Sequence, residues 1–246
     1  MNTALLNRLR QSWLYTAYWS WRRPEIIARR DGEVNFYRAF VKPGALVFDI
    51  GANHGQKTDV FLRAGAGRVV AVDPDPFNID TLMDKFWRYR RYPLPVEIRQ
   101  KAISSRKGRA KLNAPFPGSA LASITPVQSD GAFTEFDCLT VTLDQFVLEY
   151  GLPAFIKIDV EGHELQVLQG LSRPVPLSFE VNLPENRAKG EACMVELERK
   201  FPEGEFSYIV ECADGLQSGW RPYAEFLKVY ARISAPSIEV FWRPAP

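Results

Sequence analysis

The chain contains the segment Val47-Phe48-Asp49-Ile50-Gly51-Ala52-Asn53-His54-Gly55, an apolar run that passes into a loop of small residues. After a segment of helical length comes a second apolar run that ends in an acid, Val69 to Asp73. This arrangement is typical of the strand–helix–strand unit that opens a parallel sheet. In such a unit the first loop lets a cofactor approach the backbone, and the acid after the second strand binds a ribose.

The rest of the chain alternates between strand-like and helix-like segments. With the two strands already described, the predicted strands are 45–50, 68–73, 96–102, 139–142, 154–159, 175–182, 205–212 and 238–242. Helices are predicted at 56–64, 77–89, 143–150, 162–171 and 189–201. The alternation predicts an α/β fold with a doubly wound, mostly parallel sheet. Residues 103–136 are rich in Ser, Gly and Pro, and we expect a functional or mobile loop there, with one short strand at 109–113.

The composition is that of an ordinary globular protein, with 46% hydrophobic and 24% charged residues in 246. A net charge of +2 is too small to indicate nucleic acid as a partner. The three cysteines, Cys138, Cys193 and Cys212, form no C-x-x-C pair, which argues against a disulfide framework or a zinc site and favours the cytoplasm. No apolar run approaches the roughly 18 residues that a membrane span needs.

The first 40 residues predict an N-terminal extension that is helical and then irregular, with a turn at Asp31-Gly32. Apolar residues recur at helical spacing at its start: Leu5, Leu6, Leu9, Trp13, Leu14 and Ala17. We expect this helix to pack on the domain or on a second subunit, which would make a homo-oligomer. The alternative is a helix that rests on a lipid surface or covers a substrate pocket.

The small-residue loop predicts a cofactor site. Gly51 and Gly55 allow a sharp turn and a close approach of ligand to backbone, and Asn53 tolerates a left-handed conformation. The helix that follows offers free N–H groups. Asp49, directly before the loop, would repel a pyrophosphate but attract the ammonium and sulfonium groups of S-adenosylmethionine. An NAD-binding fold, or a loop without a cofactor, remains the alternative. We expect Asp73 to accept both ribose hydroxyls.

Three motifs resemble those of the FkbM-type S-adenosylmethionine-dependent methyltransferases. Phe48 to Thr58 resembles the first motif of that family, and Thr142-Leu143-Asp144 resembles its T-L-D segment. Ile156 to Gly170 carries the pattern K-I-D-V-E-G-x-E-x-x-V-L-x-G, which is close to a family signature. The chain departs from the family at Asp73, where glutamate is more common, and at Lys57, where an aromatic residue is common.

The resemblance covers about residues 44–182 and implies a Rossmann-like class I methyltransferase fold, with a seven-stranded sheet whose last strand is antiparallel. We expect a methyltransferase domain at residues 41–246, preceded by the extension of residues 1–40. The resemblance also implies O-methylation of a hydroxyl on a sugar, natural product or other small molecule. The predicted cofactor contacts are Asp49, Gly51, Ala52, Asn53, Gly55, Thr58, Asp73, Pro74, Ala102, Ile103 and Asp159.

Acids at the ends of two predicted strands are the catalytic candidates. Asp159 ends one strand, and Glu161 follows it closely. Glu180 and Asn182 end the next strand and point to one face. Three interpretations stay open: caps of the following helix, a base or acceptor-positioning group, or a site for a divalent cation such as Mg²⁺ formed by Asp159, Glu180 and Asn182.

Both histidines and two serines complete the candidate set. His54, beside the cofactor loop, could act as a base, and His163 is expected to be solvated or hydrogen-bonded. Ser119, Ser123 and Asn182 are candidates for acceptor binding. Lys157, inside a strand, is expected to pair with an acid.

The predicted function is that of an S-adenosylmethionine-dependent O-methyltransferase with a small-molecule or glycan acceptor. The alternatives are an NAD(P)-dependent oxidoreductase and a non-catalytic scaffold that binds the cofactor.

Overall fold

A computed structural model describes residues 24–86, 95–119, 121–124 and 134–245. The α-helices in this part of the chain are α1 Pro24–Tyr37, α2 Gln56–Ala64, α3 Pro76–Phe86, α4 Leu143–Tyr150, α5 Glu164–Gln169, α6 Arg187–Lys200 and α7 Tyr223–Tyr230. The strands are β1 Leu46–Ile50, β2 Arg68–Asp73, β3 Val96–Gln100, β4 Ala102–Ile103, β5 Gly108–Ala114, β6 Thr134–Val141, β7 Phe155–Ile158, β8 Leu177–Asn182, β9 Glu205–Ile209, β10 Arg221–Pro222 and β11 Ser237–Arg243.

The main sheet has the strand order β10-β9-β11-β8-β7-β1-β2-β3. Strands β3, β2, β1, β7 and β8 pair in parallel, and β11 pairs antiparallel with both β8 and β9. The predicted mostly parallel, doubly wound sheet with an antiparallel last strand is therefore confirmed. The eighth strand, β10, is a two-residue addition at the β9 edge. The chain runs outward from β1 in both directions, so the topological switch point, where such sheets bind ligands, lies between β1 and β7.

A second sheet, with the order β4-β6-β5, corrects the prediction for residues 96–142. The strand predicted at 96–102 ends at Gln100, and Ala102–Ile103 pairs with β6 instead. Strand β6 begins at Thr134, and β5 pairs antiparallel along its whole length. Charged residues alternate with apolar ones along β6, so its sequence resembles a polar loop until a partner strand covers the apolar face.

Helix α1 runs through Asp31-Gly32, where a turn was predicted. A glycine inside a helix costs about 1 kcal/mol relative to alanine. Packing outweighs that cost here, because α1 lies against α2 with Tyr37 fully buried and Glu33 paired to Lys57 at 2.8 Å. The helix predicted within residues 1–22 lies outside the described residues. No helix in the described ranges is both long and apolar enough to cross a bilayer.

The two faces of the main sheet carry different cores. On one face Phe48, Ile50 and Ile156 pack against the helices that follow β6 and β8. On the other face Phe155 and Tyr37 belong to an aromatic cluster beneath α1 and α2.

A polar group lies inside this aromatic cluster. The Tyr37 hydroxyl donates to Glu239 Oε1 over 2.7 Å, and Ser178 donates to the same oxygen. Glu239 is buried, and burial alone would raise its pKa. Lys157 and Lys57, together with these two hydroxyls, instead hold the pKa of Glu239 below its ordinary value. The carboxylate thus stays charged inside the core because cations and donors surround it.

Replacement of Tyr37 by Phe tests this buried hydrogen bond. The change removes one donor from a buried carboxylate, so the free energy of unfolding should fall by about 1–3 kcal/mol. Urea unfolding monitored by circular dichroism measures the loss. Tyr208→Phe is the matched control, because Tyr208 is partly exposed. Equal stability of the two variants would contradict a role for the Tyr37 hydroxyl.

Candidate functional site

The loop between β1 and α2 lies closely against the end of β7. Gly51 has φ +80°, and a Cβ added there would lie 1.7 Å from the carbonyl oxygen of Asp159. At Gly55, φ +69°, an added Cβ would lie 2.6 Å from the Phe86 ring. Asn53 adopts the left-handed conformation that its residue type tolerates, with φ +47°. The glycines therefore bring the loop into contact with β7 and α3.

A cavity opens at the carboxyl ends of β1, β2 and β7, where the strand order predicts a ligand site. Many of the residues singled out in the sequence line it: Gly51, Asn53, Asp73, Pro74, Ala102, Ile103, Ser119, Asp159, Glu161 and Glu180. Further lining residues escaped the sequence analysis: Asn78, Lys101, Leu112, Ala122 and Ile124. These come from α3 and from the second sheet with its adjoining segment, which the sequence pattern did not resolve.

Asp73 and Asn78 line one side of the cavity, which we call the Asp73 wall. Asp73 Oδ2 accepts from the backbone N–H of Asn53 over 2.8 Å. Its Oδ1 accepts from the N–H of Asp75 and the side-chain amide of Asn78, over 2.9 and 3.1 Å. Burial raises the pKa of Asp73, although these three donors oppose the rise. Asn78 Oδ1 is buried and has no hydrogen-bond partner among the described residues, so this wall of the cavity offers an acceptor without a donor.

Asp75, which the sequence analysis missed, binds the segment that follows β5 and so connects it to this wall. Its fully buried carboxylate accepts from the N–H of Phe77 over 2.8 Å and from that of Gly118 over 2.9 Å. The first bond stabilises the start of α3, and the second holds residues 116–119 over the cavity. Ser119 is buried there, and its Oγ accepts from the N–H of Leu121 over 3.1 Å. The Pro74-Asp75-Pro76 sequence signals a turn but not this long-range contact.

Asp49 does not line the cavity. Its carboxylate lies on the opposite side of β1, where it accepts from the hydroxyl of Thr58 over 2.5 Å. Burial raises the pKa of Asp49 from 3.8 to about 6, while the Thr58 hydrogen bond and the charge of Lys157 limit the rise. Ala52, Gly55 and Thr58 also lie outside the cavity lining. A direct contact of these four residues with a cofactor therefore remains a prediction from the sequence.

Lys157 lies at the centre of the sheet, next to Asp49 in β1 and Ser178 in β8. Its ammonium is 3.7 Å from both Asp159 Oδ2 and Glu239 Oε1, and it has no hydrogen-bond partner in the described part of the chain. Burial alone would lower the pKa of Lys157, but Glu239 and Asp159 raise it above its ordinary value. The pairing with acids that the sequence predicts is present, and the ammonium stays charged.

The three catalytic candidates Asp159, Glu161 and Glu180 all line the cavity. Burial, followed by the charges of Asp159 and Glu180, raises the pKa of Glu161 from 4.5 to about 7. Burial and Asp159 also raise the pKa of Glu180, whose Oε1 accepts from Ser237 Oγ over 3.0 Å. Carboxyl groups packed this closely disfavour one another's charged forms.

Glu164 binds the turn that precedes α5, and the N-cap residue of this helix, His163, makes no side-chain cap hydrogen bond. Glu164 Oε1 accepts from the N–H groups of Val160 and Gly162, over 3.2 and 3.0 Å. Asp159 and Glu161 are thus available to a ligand instead of serving the helix. Glu161 is held in a left-handed conformation, φ +51°, and its carbonyl accepts from Ser123 Oγ over 2.8 Å. Ser123 therefore positions the Glu161 backbone.

The histidines occupy different environments. His54 is exposed and lies outside the cavity lining, so its action as a base stays a prediction from the sequence. Its carbonyl oxygen accepts from the Lys85 ammonium over 2.9 Å. His163 is buried at the cavity wall, with Nε2 3.0 Å from Ser104 Oγ, and burial lowers its pKa. His163 therefore favours the neutral form.

The proposed metal site on Asp159, Glu180 and Asn182 finds no support in the described residues. Asn182 lies in a second cavity beside Asp159 and Glu180. Within the ranges that the structure describes, no group of three or more His, Cys, Asp or Glu side chains is arranged to hold a metal ion. The predicted Mg²⁺ site therefore stays a prediction from the sequence.

Comparison with known proteins now decides the family. Residues 49–226 match the model of the methyltransferase FkbM domain. The chain belongs to this family. The class I methyltransferase fold implies S-adenosylmethionine as the methyl donor of this FkbM methyltransferase, and the match covers both the Asp73 wall and the acids of β7 and β8.

Two relatives illustrate the similarity. This chain is 30% identical to the hexuronic acid methyltransferase AglP of Haloferax volcanii over 130 residues. The aligned segment covers 52% of this chain and 50% of that relative. The crystal structure of methyltransferase FkbM from Methylobacillus flagellatus KT superposes with a TM-score of 0.53 at 14% identity, covering 85% of this chain and 50% of that one. The chain thus spans about half the length of both, and the structural likeness supports the fold alone.

Replacement of Asp49 by Asn tests the charge buried beside Thr58. Because its folded pKa is raised, wild-type protein loses stability as the pH rises through about 4 to 6, and the variant does not. At about 1.4 kcal/mol per pKa unit, the variant should gain roughly 3 kcal/mol relative to wild type between pH 4 and 7. Urea unfolding at several pH values measures the difference. The exposed Asp84→Asn is the control, and a pH-independent difference for Asp49→Asn would contradict the assignment.

Proposed function

We propose that this chain is an S-adenosylmethionine-dependent methyltransferase that methylates a hydroxyl of a small-molecule or glycan acceptor. The main support is one cavity at the switch point of the sheet. It joins a wall suited to a ribose, at Asp73 and Asn78, to the carboxyl groups of Asp159, Glu161 and Glu180. A donor on the first wall and an acceptor hydroxyl at the second would meet inside it.

The residues of the first wall fit the ribose and adenine of the proposed donor. Asp73 Oδ2 has one protein donor, and Asn78 Oδ1 has none within the described residues, so both oxygens can accept from ribose hydroxyls. Ala102 and Ile103 offer an apolar surface for the adenine. When bound, this donor supplies a methyl group on a positively charged sulfur, and the electron pair of the sulfur–methyl bond returns to sulfur as oxygen takes the methyl group.

Glu161 is the best candidate for the general base. Its pKa is about 7, which is close to neutral pH. A general base works best at such a pKa, because a large fraction is deprotonated and the deprotonated form still has a high affinity for a proton. Glu161 would receive the proton that the acceptor hydroxyl loses. Asp159, 3.7 Å from the Lys157 ammonium, and Glu180 would hold that hydroxyl in line, since alignment of reactants supplies much of the acceleration of such a transfer.

The proposed acceptor and compartment rest on further observations. The relative from Haloferax volcanii is described as a hexuronic acid methyltransferase, which favours a sugar acceptor here. Cys138, Cys193 and Cys212 are free and buried, which favours the reducing cytoplasm. Membership of a methyltransferase family argues against the NAD(P)-dependent oxidoreductase. A non-catalytic scaffold would bind the donor without transferring its methyl group.

Replacement of Asp73 by Asn tests the donor site. Loss of a charged acceptor for the ribose should weaken binding of S-adenosylhomocysteine about 10- to 100-fold. Titration calorimetry measures the affinity, and Asp80→Asn, an exposed acid on the same helix as Asn78, is the control. Wild-type affinity in Asp73→Asn, or no binding by the wild type at millimolar ligand, would refute this assignment of the donor site.

Replacement of Glu161 by Gln tests the base. The transfer rate should fall about 10²- to 10⁴-fold, because general base catalysis contributes about that factor. Wild-type activity should rise with pH to a plateau above about 7, as Glu161 loses its proton, and the variant should lose this rise. Transfer of a labelled methyl group to a fractionated cell extract provides the rates, with Glu198→Gln as control. A variant that keeps the wild-type pH profile would exclude Glu161 as the base.

A further inference from the structure

A second cavity adjoins the first at the catalytic acids. Asp159, Glu161 and Glu180 line both cavities. The other walls of the second cavity come from β8, α6 and the turn that opens α5: Gly162, Glu164, Phe179, Val181, Asn182, Asn186, Lys189, Gly190 and Cys193. A molecule in this second cavity would present a group to the shared acids from the side opposite to Asp73.

Three of the four acids that line the second cavity are partly compensated within the protein. Glu164 is occupied by the N–H groups of Val160 and Gly162. Asp159 lies 3.7 Å from the ammonium of Lys157. Glu161 has a pKa of about 7, so close to neutral pH it carries only part of a negative charge. The electrostatic repulsion that these residues exert on an anion is therefore smaller than their number indicates.

Lys189 supplies a cation on the other side of this cavity. Its Nζ lies over Gly162, where an added Cβ would be 3.0 Å away. In contrast to Lys157, Lys189 is exposed and has no carboxylate within 4.0 Å among the described residues. The amides of Asn182 and Asn186 line the same cavity and can donate hydrogen bonds. One exposed ammonium and two amides form a recognition set for an anionic group.

We propose that the second cavity is the acceptor subsite and that Lys189 selects an acceptor with a negatively charged group, a carboxylate or phosphate, beside the hydroxyl. This inference rests on the proposed methyl transfer and adds the charge of the acceptor to it. The hydroxyl lies at the shared acids, where Glu161 takes its proton. The charged group lies outward, at Lys189, Asn182 and Asn186. Lys189 acts as a specificity-determining residue.

The experiment separates acceptors by charge before the reaction. Small molecules of a cell extract are divided on an anion exchanger into retained and unretained fractions. Each fraction is incubated with the protein and S-adenosylmethionine carrying a labelled methyl group. Lys189→Met and Lys189→Glu are compared with wild type and with Lys228→Met, an exposed lysine on α7 away from both cavities. Titration with S-adenosylhomocysteine checks the fold and donor site of every variant.

The proposal expects most of the label in the retained fraction. There Lys189→Met should lower labelling at least tenfold and Lys189→Glu further, while Lys228→Met and the donor affinity of all variants stay at wild-type values. Label chiefly in the unretained fraction, or equal labelling by Lys189→Met and Lys228→Met, would overturn the inference while leaving methyl transfer intact. Wild-type protein that fails to bind S-adenosylhomocysteine, or binds it and labels neither fraction, would instead overturn the proposed function and the inference with it.

Discussion

The buried charge of Lys157 is the interaction on which the arrangement of the site depends. A lysine in the middle of a parallel sheet loses nearly all of its hydration, at a cost of several kcal/mol unless acids surround it. The acids come from separate parts of the chain: Asp49 from β1, Asp159 from the end of β7, and Glu239 from β11. The need to balance one cation therefore links strands that are distant in sequence and places Asp159 at the cavity.

The same group of charges extends to the helical layer. Glu239 accepts from Tyr37 of α1, while Lys57 of α2 lies near Glu239 and pairs with Glu33 of α1. Each of these groups would be costly to bury alone, because a charge without a partner in a low-dielectric interior is strongly destabilising. Together they fix the position of α1 on the sheet. The first described helix is thus part of the support of the site, although the sequence pattern assigned it to a separate extension.

The sequence predicted those features that depend on local pattern. The β1–α2–β2 unit, the helix at 143–150 and the strand bearing Asp159 follow from apolar runs, turns and helix-length spacing. Residue 159 could be placed at a strand end for the same reason. Strands at 109–113 and 139–142 were predicted, but the first half of β6 was missed because β5 stabilises it and its own composition does not. Asp75 was missed because its bond to Gly118 joins segments that are distant in sequence. Asn78 contacts Asp73 only five residues earlier, but its place in the cavity wall depends on how α3 packs.

The position of the acids between two cavities follows from the topology. Strand order reverses between β1 and β7, and the segments that follow these strands leave space on both sides of Asp159. Gly51 lets these two segments touch, since any side chain there would collide with the Asp159 carbonyl. One space is bounded by the Asp73 wall and the second sheet, and the other by β8 and α6. Two reactants that enter from opposite sides can then meet only at the acids, which is the geometry that an in-line transfer needs.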